Sequence, residues 1–178
     1  VKVLNEAGAE TLGKPVGSYL TLEANRLLLP DEDFHSEVSD ELANVLKELA
    51  EHALGKKERE EKKAPFLHGQ PVILVAGLGN QSVTPDSLGP RTVNNLSVSQ
   101  NETGLKAIAP GVMAQTGMET ARILSGIIRE IKPDLVIAID ALAARSIRRL
   151  GTTIQLTDTG IHPGSGVGNH RHSLTKET

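Results

Sequence analysis

Residues 71–79 read PVILVAGLG and residues 135–140 read LVIAID. Pro71 to Ala76 and Leu135 to Ile139 are continuous apolar runs, closed by Gly77 and by Asp140. Runs of this length and character suit strands buried on both faces. The sequence between them has helical features. Thr84-Pro85-Asp86 predicts a helix start, with Thr84 as N-cap and Pro85 at the first helical position. Leu88, Thr92 and Leu96 would then share one face. Thr116 and Glu119 stand at capping-box spacing. Met118, Ala121, Leu124, Ile128 and Ile131 follow as an apolar stripe, which Pro133 ends. Ala141 to Leu150 predicts a further helix with Gly151 as its stop, and Thr152 to Leu156 a third strand. Strands alternating with helices give an α/β fold. The expected form has three layers, a mostly parallel sheet with helices on both faces.

Outside this block the patterns differ. Residues 1–30 predict a β-rich N-terminal portion, with β-like stretches at Val1–Leu4 and Ser18–Leu22. The first and last segments are candidates for antiparallel edge strands. Val38, Leu42, Val45, Leu49 and Ala53 recur at helical spacing, and Gly55 predicts the end of that helix. The charge run from Lys56 to Lys63 fits a solvated helix end or a linker. With 178 residues, the chain suits one domain, residues 1–178.

Composition removes several classes of function. Hydrophobic residues at 38% and charged residues at 23% describe a globular chain rather than a disordered one. The absence of cysteine excludes disulfides, thiolate metal sites and thiol nucleophiles. An uncrosslinked chain fits the cytosol. No apolar run approaches the roughly 20 residues that a membrane-spanning helix needs. A net charge of -3 and only 2% aromatic residues argue against direct nucleic-acid binding. The start, Val1-Lys2-Val3, is neither a signal peptide nor an initiator methionine, so a processed or partial form is expected.

Two aspartates stand out by position. Ligands of open α/β sheets bind beyond the carboxyl ends of the parallel strands. Asp140 directly follows the strand at 135–139, and Asp86 lies in the segment after the strand at 72–76. If those strands are neighbours, both carboxylates face one crevice. Two carboxylates about 4 Å apart repel by about 4 kcal/mol at an effective dielectric of about 20. That is enough to keep one of a pair protonated near neutrality. One can then activate water while the other polarises a scissile carbonyl, with Asp86 assigned as base and Asp140 as acid. Either aspartate would equally suit a backbone cap at its junction.

Other constellations compete. Gly77-Leu78-Gly79 follows a strand, but Ser82 occupies the third glycine position of a dinucleotide fingerprint. Gly79 and Asn80 are instead candidates for backbone approach to a substrate, or for a tight turn. His162, His170 and His172 with Asp158 have usable ligand spacing, or are solvated loop residues. Ser165 lies between Gly164 and Gly166 without completing a nucleophile elbow. The Gly164–Gly168 loop could offer oxyanion donors or be a structural turn. Arg145 could pair with an acid or a substrate carboxylate, or lie on the surface.

Several runs resemble the spore germination protease family, peptidases that begin the digestion of small acid-soluble spore proteins. They are GKPVGSYLTLE (13–23), GLGNQSVTPDSLGPRTV (77–93), APGVMAQTGMET (109–120), KPDLVIAIDALAARSI (132–147) and TDTGIHPGSGVGNHR (157–171). The resemblance implies an atypical aspartic endopeptidase whose two essential aspartates correspond to Asp86 and Asp140. It implies a fold like that of the hydrogenase maturation peptidases, a zymogen that loses a propeptide by self-cleavage, a homotetramer, and a place in the spore core cytoplasm. No cofactor or metal is expected. His162, Gly164, Ser165 and Gly166, within the last run, join Gly79 and Asn80 as candidates for substrate or oxyanion contact. The run from Ser99 to Asn101 is shorter than the family's, and the family domain is expected to continue past Thr178. The rival readings are a metal-assisted peptidase of the maturation type and a catalytically silent binding protein.

Overall fold

A computed structural model of the chain describes residues 1–60, 71–98, 104–144 and 146–161, the last five residues of the first span by backbone only. The elements in chain order begin with β1 (Lys2–Val3), α1 (Glu6–Leu12), β2 (Gly17–Glu23), α2 (Glu32–Glu60) and β3 (Ile73–Gly77). They continue with α3 (Leu88–Asn94), β4 (Leu105–Ile108), α4 (Met113–Thr116), α5 (Thr120–Ile131), β5 (Leu135–Ile139) and β6 (Thr153–Thr157). The chain divides into two compact units, Val1–Gly55 with Ala144–Gly160, and Lys56–Ala143 with Ile161–Thr178. No helix among the described residues is long and apolar enough to cross a membrane.

The first unit holds an antiparallel sheet in the order β1-β2-β6. Tyr19 pairs with Thr157 and Glu23 with Thr153. Thr152–Leu156 therefore joins β2 rather than the parallel strands, as one of the antiparallel segments expected at the chain's two ends. α1 lies inside a stretch whose pattern predicted only strands. Its ends carry ordinary helix signals. Asn5 Oδ1 accepts the Gly8 N–H at 2.9 Å, and Gly13 closes the helix at φ 60°.

α2 begins where Asp31 Oδ1 accepts the Phe34 N–H at 3.1 Å. Its half-buried face carries Val38, Leu42, Val45, Leu49 and Ala53, the predicted stripe. Gly55 does not end it. A stopping glycine adopts positive φ, Gly55 does not, and the backbone stays helical to Glu60.

The second unit holds a parallel sheet in the order β4-β3-β5. β3 runs from half-buried Ile73 through four buried residues, as its unbroken apolar sequence predicts for a central strand. β4 carries Lys106 between apolar neighbours and is only four residues long, which hid it from the apolar-run criterion. The core gathers Ala76, Leu78, Ala121 and Leu124, with Ile108, Ala138 and Ile161 packed against them. α5 supplies two of these from its predicted stripe. It ends at Ile131, where Lys132 takes a left-handed conformation just before Pro133.

Three local expectations fail. Thr84 does not cap a helix: Val83 precedes a 3-10 turn at Thr84–Asp86, and α3 starts only at Leu88. The buried face of α3 is Gly89 and Pro90, while Leu88 is exposed. The reason is close approach. A Cβ on Gly77 would overlap the Gly89 carbonyl oxygen and meet Val93 Cγ2 at 2.8 Å. The capping box at Thr116 is absent too, because the Thr116 hydroxyl accepts the Met118 N–H at 3.2 Å and α5 starts after Glu119. Finally, Ala141–Leu150 is not a helix. Among its described residues only Ile147–Arg149 forms a 3-10 turn. Leu142, Ile147 and Leu150 are all exposed, so helix propensity there has no packing behind it.

Candidate functional site

β3 and β5 are adjacent and parallel, with Gly77 paired to Ile139. The chain leaves both strands at the same edge. The Leu78 N–H continues the ladder to the Ile139 carbonyl at 2.8 Å. Asp140 is the next residue on β5, and Asp86 ends the loop that follows β3. Both side chains are half-buried.

The loop from Gly79 to Asp86 closes tightly on itself. Gly79 has φ 113°, and a Cβ there would overlap the Asp86 carbonyl oxygen. The Val83 N–H donates to the Asn80 carbonyl at 3.1 Å, and the Asp86 N–H to the Val83 carbonyl at 2.8 Å. The Asp86 carboxylate folds back over this turn and accepts the Asn80 N–H on Oδ2 at 2.7 Å. A carboxylate accepts at about four lone-pair positions, so this one amide leaves capacity for water or substrate. Asp140 Oδ1 accepts the Ala141 N–H at 2.8 Å. Each aspartate thus meets a backbone amide nearby, as the capping reading supposed, while lying at a strand's carboxyl end, as the site reading supposed.

Asn80 has a second role. Its Oδ1 accepts the Ser82 N–H at 3.0 Å and the Gln115 side-chain amide at 2.9 Å. Gln115 lies on α4, in the connection that follows β4, so two loops meet at one sheet edge. No sequence reading gave Gln115 a role. Its only signal was its place inside the APGVMAQTGMET run.

Asp158 is engaged elsewhere. Its Oδ1 accepts the Ser18 N–H at 2.7 Å, joining the end of β6 to β2. No metal-ligating cluster occurs among the described residues. Arg145, His162, Gly164, Ser165, Gly166, His170 and His172 lie outside the described residues.

The family model described as germination protease matches residues 1–178. A germination protease of Caldanaerobacter subterraneus is 46% identical, over 100% of this chain and 54% of that protein. One of Geobacillus sp. is 45% identical, over 98% of this chain and 47% of that protein. The germination protease of Bacillus subtilis is 44% identical, over 98% of this chain and 48% of its own length. The chain therefore spans about half the length of the curated relatives it matches. With a match along its full length and identities near this level, the chain belongs to the germination protease family.

Proposed function

We propose that the protein is an endopeptidase of spore germination that cleaves small acid-soluble spore proteins, with Asp86 and Asp140 as its catalytic carboxylates. Family membership supports the peptidase activity. The observation that carries the assignment of residues is the adjacency of β3 and β5, which end together, with one aspartate following each. In this mechanism Asp86 takes a proton from water as the water oxygen attacks the scissile carbonyl. Asp140 gives a proton to the carbonyl oxygen. The tetrahedral intermediate then collapses: the C–N bond breaks, the leaving amine takes the proton held by Asp86, and a hydroxyl of the intermediate returns a proton to Asp140 as the carbonyl re-forms. Gly79 and Asn80 lie beside Asp86 and would border the substrate. His162, Gly164, Ser165 and Gly166 would complete the site by sequence, as substrate or oxyanion contacts.

We propose further that the domain has three layers, with helices on both sheet faces, and resembles the hydrogenase maturation peptidases. In the same proposal the protein is made as a zymogen, assembles as a homotetramer and resides in the spore core. The test is cleavage of a purified small acid-soluble spore protein by the complete protein carrying Asp86→Asn or Asp140→Asn. Each is expected to lose at least about 100-fold in kcat. Full activity in either variant removes that residue from the mechanism.

A further inference from the structure

Two side-chain amides at the carboxyl edge of β3 fix each other's orientation. Asn80 Oδ1 accepts from the Ser82 N–H and from Gln115 Nε2. The Val112 N–H donates to Gln115 Oε1 at 3.3 Å. A backbone N–H can only donate, so it decides which end of an amide faces it. Asn80 must turn its oxygen to Ser82, and Gln115 its oxygen to Val112. The Gln115 NH2 group is then left facing the Asn80 oxygen. Asn80 cannot turn over to suit a different neighbour without losing Ser82. Its own main-chain N–H donates to the Asp86 carboxylate.

We propose that Gln115 is a positioning residue for the reaction. It holds Asn80, and through Asn80 it holds the orientation of the Asp86 carboxylate relative to the attacking water. The inference rests on the reading of Asp86 as catalytic. Gln115 is exposed, while Asn80 and Asp86 are half-buried. An exposed hydrogen bond contributes little to folding. An orientation error at the reacting group, by contrast, costs rate directly. The role therefore separates from a structural one: stability should barely change while turnover falls.

The test uses the complete protein, a purified small acid-soluble spore protein as substrate, and steady-state kinetics from about pH 5 to about pH 8. Gln115→Leu removes the donor. We expect kcat to fall about tenfold with KM within about twofold, and the thermal midpoint to stay within about 2 °C. Gln115→Glu keeps the acceptor for Val112 but sets a carboxylate oxygen against the Asn80 oxygen. When protonated, the same side chain can donate and restore the contact. The activity of Gln115→Glu relative to the parent should thus rise as pH falls toward the carboxyl range. A purely structural residue would give no such recovery. Asp86→Asn in the same assay separates the two claims. If Asp86→Asn is inactive while Gln115→Leu turns over at the parental rate, or the Gln115→Glu ratio is flat with pH, the positioning role is overturned alone. Full activity of Asp86→Asn overturns the catalytic reading and the inference with it.

Discussion

Asparagine is the informative replacement at both aspartates for a reason visible in their contacts. In Asp86→Asn the new amide oxygen can still accept the Asn80 N–H, and in Asp140→Asn it can still accept the Ala141 N–H. The charge and proton capacity go, while the local hydrogen bond stays. Asp86→Asn should therefore unfold within about 0.5 kcal/mol of the parent in denaturant titrations while losing turnover. Gly79 behaves oppositely. Its φ of 113° and the overlap of any Cβ with the Asp86 carbonyl leave no room for a side chain. Gly79→Ala should cost about 2 kcal/mol or more by the same titration, and activity with it. A variant of parental stability would show that the turn can relax around a methyl group.

At the scale of elements, the most buried side chain of α5 decides how firmly it holds the parallel sheet. Leu124 is 0% exposed and packs in the core with Ala76 and Leu78. Leu124→Ala should destabilise by about 3 kcal/mol, read from the denaturation midpoint at unchanged slope. Asn5→Ala, which deletes the cap of α1, should cost only about 1 kcal/mol. The elements most legible in sequence were those with one dominant cause. β3 and β5 are unbroken apolar runs, and α5 is a stripe at helical spacing. Where causes competed, reading failed. The Ala-rich run after Asp140 has helix propensity but no apolar face to bury. β4 is short and carries a lysine. α1 shows cap signals but too few apolar residues for a periodic pattern. The edge shared by Asp86 and Asp140 followed from strand order. Gln115 did not, because a hydrogen bond between two loops leaves no periodic trace in sequence.

On the scale of the whole molecule, the chain divides into two compact units, each discontinuous in sequence. Each has its own sheet and hydrogen-bond ladder. Their amides should therefore exchange as two cooperative groups. Introducing Leu124→Ala and following native-state hydrogen exchange should speed the amides of β3, β4 and β5 well ahead of those of β2 and β6. Equal acceleration in all five strands would mean that the chain opens as one body. The pairing of β2 with β6 also bears on how the protein is made. Ser18 and Asp158 are hydrogen-bonded across 140 residues of sequence. Joining ends so far apart in an unfolded chain costs about 4 kcal/mol in loop entropy, before any contact repays it. The intervening segment carries local β–α connections that need no such closure. On a ribosome, those parallel strands can collapse while β6 is still in the exit tunnel. The β2–β6 ladder therefore forms later than the parallel one, zipping two stretches together across the segment already made between them.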